Sequence, residues 1–248
     1  MPGALTIAKK DRARFKTSGL RKILRLFAAT VIKPPLSIYL RFPHSYHYKD
    51  IHLRIAPGVF HPGFFFSTRF LINYLENIEL KNKTLLEPGA GSGLISIWAA
   101  KRGAKVTATD ISRTAVDNLK ENAVKNHVNI NILRSDLFER LPEEKYDIIV
   151  INPPYYPGIP KNEADYAWYR GENFEYFRKL FAGLKPYLHP DSLALMSLSD
   201  GVEIGRIASI ATENNFRLTL AAEKRVWWER QFVFRISDRA PKLGQSYS

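Results

Sequence analysis

The sequence contains no cysteine, which excludes disulfide stapling, thiolate catalysis and Cys-ligated zinc or iron–sulfur sites. No stretch approaches the ~18 uninterrupted apolar residues of a membrane-spanning helix, so no span is expected. Negative charge is in short supply, with 24 Asp and Glu against 37 Lys and Arg and a net charge of +13. The shortage is local. Up to Arg54 there are 12 Lys and Arg against only Asp11 and Asp50, a net +10, whereas the rest carries 25 against 22, a net +3. A body that grips polyanions with its whole surface is therefore excluded, and any such attraction belongs to an N-terminal arm. What remains is ordinary for a globular chain. Its 248 residues, 45% hydrophobic and 25% charged, suffice for one sizeable domain and are too apolar for intrinsic disorder.

Within the arm, Leu20, Ile23, Leu24, Phe27 and Val31 fall at helical spacing with Arg21, Lys22 and Arg25 between them. This predicts an amphipathic helix ending before Pro34-Pro35. The apolar run from Leu26 to Ile32 meets Lys33 and two prolines rather than a small-residue cleavage site, so no cleaved leader is expected and the chain reads as cytoplasmic. The expected organisation is a basic arm over 1–45, a folded domain over 46–240 and a short tail over 241–248.

From Tyr46 to Ile55 a rough alternation predicts a small antiparallel pair, and Phe64 to Ile78 reads as a helix opened by Ser67-Thr68. Strand patterns follow over 84–87, 105–110, 129–136, 146–152 and 192–199, alternating with helical patterns over 94–102, 113–126, 174–188 and 203–214. That rhythm means a doubly wound α/β fold with a mostly parallel sheet. The last two strand patterns, 216–227 and 230–236, have no helix between them. A closing hairpin is expected, its last strand antiparallel, to complete seven strands.

Two segments carry chemistry. The run Glu87-Pro88-Gly89-Ala90-Gly91-Ser92-Gly93 follows the first strand and opens a helix, where glycines let the backbone turn sharply and approach a ligand. A dinucleotide fingerprint would need its third glycine at position 94, where Leu94 stands, and no G-K-[ST] follows to make a phosphate loop. Asp110 ends the second strand, placed to accept both hydroxyls of a ribose. Asp136 ends the third, and Ser135-Asp136-Leu137 can read an adenine ring. The second segment, Asn152-Pro153-Pro154-Tyr155, closes the fourth strand. A planar amino group is a poor nucleophile because its lone pair is delocalised. The Asn152 side-chain oxygen and the Pro153 carbonyl, aimed at its hydrogens, would hold it and favour pyramidalisation, while Tyr155 stacks on the planar target.

In this order the motifs resemble the class I S-adenosylmethionine-dependent methyltransferases, and N-P-P-Y resembles their subgroup acting on planar nitrogens. That subgroup includes HemK-type release-factor glutamine enzymes, ribosomal RNA guanine enzymes and adenine methyltransferases. Gly58 to Pro62 and Arg170 to Arg178 add to the likeness, and Glu87-Pro88 departs from the usual Asp followed by a non-proline. The resemblance implies a Rossmann-like fold, S-adenosylmethionine as cofactor, and Asn152, Pro153 and Tyr155 as catalytic residues. It implies a cofactor set of Thr68, Glu87, Gly89, Ala90, Gly91, Gly93, Asp110, Ile111, Ser135, Asp136, Leu137 and Asn152. Six scattered histidines lack metal-ligand spacing, so no metal is expected. His61 reads as structural; Trp227-Trp228 as sheet-edge packing with one ring free to stack on a base; and Tyr155, Tyr156, Tyr166, Trp168 and Tyr169 as a loop covering the acceptor pocket. The basic arm and the lack of a HemK-like helical recognition domain favour RNA or a ribosome-associated partner, methylated on an exocyclic base amine. The alternatives are a protein glutamine on a release factor or ribosomal protein, and a non-catalytic RNA-binding module.

Overall fold

The computed structural model of the protein describes Leu5–Thr6 and residues 42–64, 66–226 and 229–238. The predicted arm helix, Trp227-Trp228 and the 241–248 tail lie outside the described residues. The main sheet runs β1 (Leu5–Thr6), β9 (Phe216–Val226), β10 (Glu229–Asp238), β8 (Leu193–Ser199), β7 (Ile148–Ile151), β4 (Thr84–Pro88), β5 (Lys105–Asp110) and β6 (Ile130–Arg134). Strands β4 to β8 are parallel and β10 is antiparallel to both its neighbours. The expected seven strands are thus present, with two arm residues pairing on β9 as an eighth.

The parallel strands are nearly all apolar because both their faces are covered. In β7, Ile148 and Val150 join the core beneath α1 (Phe66–Leu75), α2 (Leu94–Ala100) and α3 (Arg113–Lys125), whereas Ile149 and Ile151 join that beneath α4 (Glu175–Gly183) and α5 (Ile204–Glu213). The predicted 174–188 helix stops at Gly183 and resumes as a 3-10 turn over Lys185–Tyr187, since Pro186 cannot donate to a continuing α-helix. Strand β6 ends at Arg134, two residues short of the expected Asp136, which lies in the loop that follows.

The predicted hairpin is present as β2 (His44–Tyr48) and β3 (Ile51–Ile55), separate from the main sheet. Its free edge is met by side chains rather than by a strand. Asn118 accepts from Ala56 N–H at 3.1 Å and donates to Arg54 C=O at 2.9 Å. Asn122 accepts from Arg54 N–H at 2.8 Å and donates to the same carbonyl at 2.9 Å. Asn126 accepts from His52 N–H at 2.9 Å and donates to His52 C=O at 2.8 Å. The match has a simple origin: four residues of helix rise about 6 Å and two residues of strand about 6.7 Å, so amides at i, i+4 and i+8 follow an extended edge.

The topology fixes where a ligand can sit. Chain order along the sheet reverses between β4 and β7, opening a crevice at the carboxyl ends of these strands. Glu87 lies at the end of β4 and Asn152 just beyond β7.

Candidate active site

A cavity of about 440 Å³ occupies that crevice. Thr68, Glu87, Gly89, Ala90, Gly91, Asp110, Ile111, Ser135, Asp136, Leu137, Asn152, Pro153 and Tyr155 all line it. Gly93 does not. It has φ +85° at the start of α2, and a Cβ there would stand 1.9 Å from Leu119 Cδ1, so it brings α2 against α3 behind the cavity wall. Gly89 is the opposite case: with φ +75°, a Cβ built on it meets nothing within 4 Å. The backbone here borders open space rather than packing.

The glycine loop is held from β5. Gly89 and Ala90 N–H donate to Thr109 C=O at 2.7 and 2.9 Å. Asp110 accepts from Gly91 N–H and Ser112 N–H, one on each carboxyl oxygen, both at 2.9 Å. Burial pushes its carboxyl above the usual range, and these two donors oppose the shift. A carboxylate offers about four lone-pair positions, so acceptor capacity remains for further donors. Asp136 is paired with Lys179, which also holds Glu139.

Glu87 is buried and accepts from Ser96 Oγ at 2.5 Å, and burial pushes its carboxyl up to about 8. A carboxyl raised in the folded state favours folding while protonated. Its contribution is complete below the ordinary carboxylate range and is lost as the pH climbs toward that raised value. Glu87→Gln removes this loss, so thermal melts from about pH 5 to about pH 8 are expected to show the variant gaining on the parent as pH rises. A constant gap between the two would mean that Glu87 ionises normally.

On the other side, Asn152 is gripped at both ends. Its Nδ2 donates to Thr68 Oγ1 at 3.0 Å, and its Oδ1 accepts from Ser197 Oγ at 2.7 Å with the Tyr155 hydroxyl at 3.3 Å. Burial pushes Tyr155 up to about 12, so its phenol stays protonated at neutral pH. The segment from Pro153 to Gly171 folds back on itself through Tyr156 N–H to Trp168 C=O and Arg170 N–H to Tyr156 C=O, both 2.9 Å. It brings Tyr155, Tyr156, Tyr166, Trp168 and Tyr169 to the cavity, as expected, and Phe60 from the hairpin side meets Trp168 at 5.7 Å between rings. Glu163, on a 3-10 turn over Glu163–Ala167, ties this loop to the opposite rim. It accepts from Ser112 Oγ at 3.2 Å, Arg113 N–H at 2.9 Å and Arg134 Nη2 at 2.9 Å.

His61 is buried between Tyr46 and Phe64, its Nδ1 accepting from Gly63 N–H at 3.1 Å, and is not among the lining residues. Sequence reasoning missed Glu163, Lys179 and Ser197. Ser197 carried a signal, being a polar residue between Met196 and Leu198 in a buried strand, whereas a loop Glu and a helix Lys look like any solvated charge. Among the described residues no three His, Asp or Glu gather as metal ligands, and no helix is long and apolar enough to cross a membrane.

The methyltransferase small domain model matches residues 50–168. Over 119 residues, 47% of the chain, the protein is 46% identical to a Methanocaldococcus jannaschii chain provisionally named protein N5-glutamine methyltransferase, of which it covers 57%. It is 31% identical over 143 residues to the ribosomal RNA small subunit methyltransferase C of Buchnera aphidicola, covering 56% of this chain and 43% of that one. The chain thus spans about half the length of these curated relatives. A solved structure with the same fold is the Thermus thermophilus 16S rRNA N2 G1207 methyltransferase in complex with AdoMet and guanosine. It aligns with a TM-score of 0.55 at 19% identity, over 78% of this chain and 50% of that one. With its N-P-P-Y segment at the switch point of a mostly parallel sheet and its match over residues 50–168, the chain is similar to the methyltransferase small domain family and has the class I S-adenosylmethionine-dependent methyltransferase fold.

Proposed function

We propose that the protein binds S-adenosylmethionine and transfers its methyl group to a planar amino nitrogen, the exocyclic amine of an RNA base. The observation that carries this reading is a single cavity with Asp110 and the glycine loop on one side and Asn152 and Pro153 on the other. Its residues fit the cofactor. The volume lies within the ~300–1,000 Å³ of small-molecule sites, and Gly89 leaves a cradle that a side chain would fill. Asp110 retains lone pairs for ribose hydroxyls, and Glu87 and Asp136 place carboxyls nearby. The relatives' names support the same activity.

When bound, the cofactor supplies a methyl group on a positively charged sulfur. The chain's part is positioning. Asn152 Oδ1 and the Pro153 carbonyl accept the hydrogens of the acceptor amine and draw it out of conjugation, while the Tyr155 ring forms the wall against which it lies. Tyr155 keeps its proton and is no base at neutral pH; the proton displaced from the methylated nitrogen leaves to solvent.

A nucleobase is favoured by the aromatic rim, with Tyr156, Tyr166 and Tyr169 partly exposed at the loop, and by the +10 arm, which suits a phosphate backbone. A second reading, a protein glutamine, is favoured by the 46% identity to the provisionally named glutamine enzyme. A side-chain amide is planar too. Both readings fit a protein that works in the cytoplasm.

Calorimetry with S-adenosylmethionine and its demethylated product, against NAD as control, tests cofactor binding; failure of both sulfur ligands to bind overturns the proposal. Asp110→Ala is expected to weaken cofactor binding at least ~10-fold by removing a charge-assisted acceptor. Unchanged affinity would take Asp110 out of the cofactor site. Radiolabel transferred into lysate from cells lacking the gene identifies the acceptor. Loss of label to RNase supports a base, loss to protease supports glutamine, and no transfer leaves the non-catalytic module.

A further inference from the structure

Strand β8 is apolar from Leu193 to Met196 and again at Leu198, yet Ser197 between them is fully buried. A buried hydroxyl is costly without a partner, so its bonds report what it is there for. Ser197 Oγ lies 2.7 Å from Asn152 Oδ1 and 3.2 Å from the Tyr155 hydroxyl, and Asn152 Nδ2 reaches Thr68 Oγ1 at 3.0 Å. We propose that Ser197 is a positioning residue that fixes which end of the Asn152 amide faces the acceptor. This rests on the reading of Asn152 as the group that holds the acceptor amine.

The two ends of a side-chain amide are nearly equal in size, so packing alone does not choose between them; hydrogen bonds do. The Ser197 proton has two acceptors in reach, Asn152 Oδ1 and the phenol oxygen, and the bond to Oδ1 is the shortest in the network. With that bond made, the donors run one way, from Tyr155 to Ser197 to Asn152 to Thr68, and each strengthens the next. Ser197 then occupies one lone pair of Oδ1. The Tyr155 hydroxyl also lies 3.3 Å from Oδ1, but it has one proton, and with that proton given to Ser197 the other lone pair of Oδ1 is left for an incoming amino group. Turned over, the amide would present its own N–H groups to the hydrogens it has to accept.

The test uses the full chain with S197A, N152D and the double variant. A carboxylate has two equal oxygens and no end to choose, so it separates orientation from mere support. S197A is expected to lower kcat about 10-fold with cofactor affinity unchanged and, in the N152D background, to change kcat less than about twofold. In nitrogen-edited NMR spectra, the Asn152 side-chain NH2 pair, identified by its loss in N152D, is expected to shift or broaden in S197A. Equal kinetic cost in both backgrounds, or an unmoved NH2 pair in a variant that melts like the parent, overturns the proposal. If the parent chain methylates nothing, the functional reading fails, while the NMR comparison still decides whether Ser197 orients the amide.

Discussion

Replacing Asn152 with alanine is expected to lower methyl transfer about 100-fold or more, equivalent to some 2.7 kcal/mol of transition-state stabilisation, while leaving cofactor affinity nearly unchanged. The variant removes one of the two acceptors aimed at the amine, and the Pro153 carbonyl remains. Fixed acceptors act most strongly where charge develops, so the loss falls on kcat rather than on binding. The glycine loop and Asp110 are held by β5, by Ser112, by Asn122 and by each other, so they do not depend on Asn152. Single-turnover kinetics with the acceptor identified by labelling, alongside calorimetry, separates the two effects. If Asn152→Ala abolishes cofactor binding in a protein that still melts cooperatively, the division of the cavity into cofactor and acceptor halves is wrong.

The largest expected effect on stability comes from outside the cavity. Asn122 is fully buried, and its three bonds reach Arg54 N–H at 2.8 Å, Arg54 C=O at 2.9 Å and Ser92 C=O at 3.0 Å. Leucine has the same branched skeleton of side-chain heavy atoms but bulkier methyl groups, and can satisfy none of them. Asn118 still reaches the Arg54 carbonyl, so the groups stranded are one N–H on the hairpin and one C=O in the glycine loop. At about 1–3 kcal/mol for each unsatisfied buried group, Asn122→Leu should destabilise by roughly 3–5 kcal/mol. Denaturant unfolding measures this directly. Because Ser92 belongs to the glycine loop, cofactor affinity should fall as well; a loss below about 1 kcal/mol would mean that water replaces the amide.

The architecture could be read in the sequence wherever burial imposes a pattern. Runs such as Ile148 to Ile151 have no polar face and so announce a parallel strand covered on both sides, and the helix-free connection before Arg230 announces the antiparallel closing strand. The glycine loop and N-P-P-Y were legible because few residue types tolerate such backbone. Gly93 shows the limit: a glycine needed for close helix packing and one needed for ligand approach look alike along the chain. Glu163 and Lys179 illustrate the other limit. Their significance lies in partners 50 and 43 residues away, and nothing local distinguishes them from solvated charges. The ladder of Asn118, Asn122 and Asn126 was hidden within a helix pattern because Asn is a poor helix former whose spacing was not read as an edge.

That ladder also dictates an order of events as the chain is made. The hairpin leaves the ribosome early, but the amides that complete its edge lie 62 to 74 residues downstream. A two-stranded hairpin alone is only marginally stable in water. It therefore has to wait, half-formed, until α3 has been synthesised and docked. Val59 and Phe60, which follow β3 and line the cavity, can settle only after that docking. The wall of the cavity encoded first is thus among the last to become rigid.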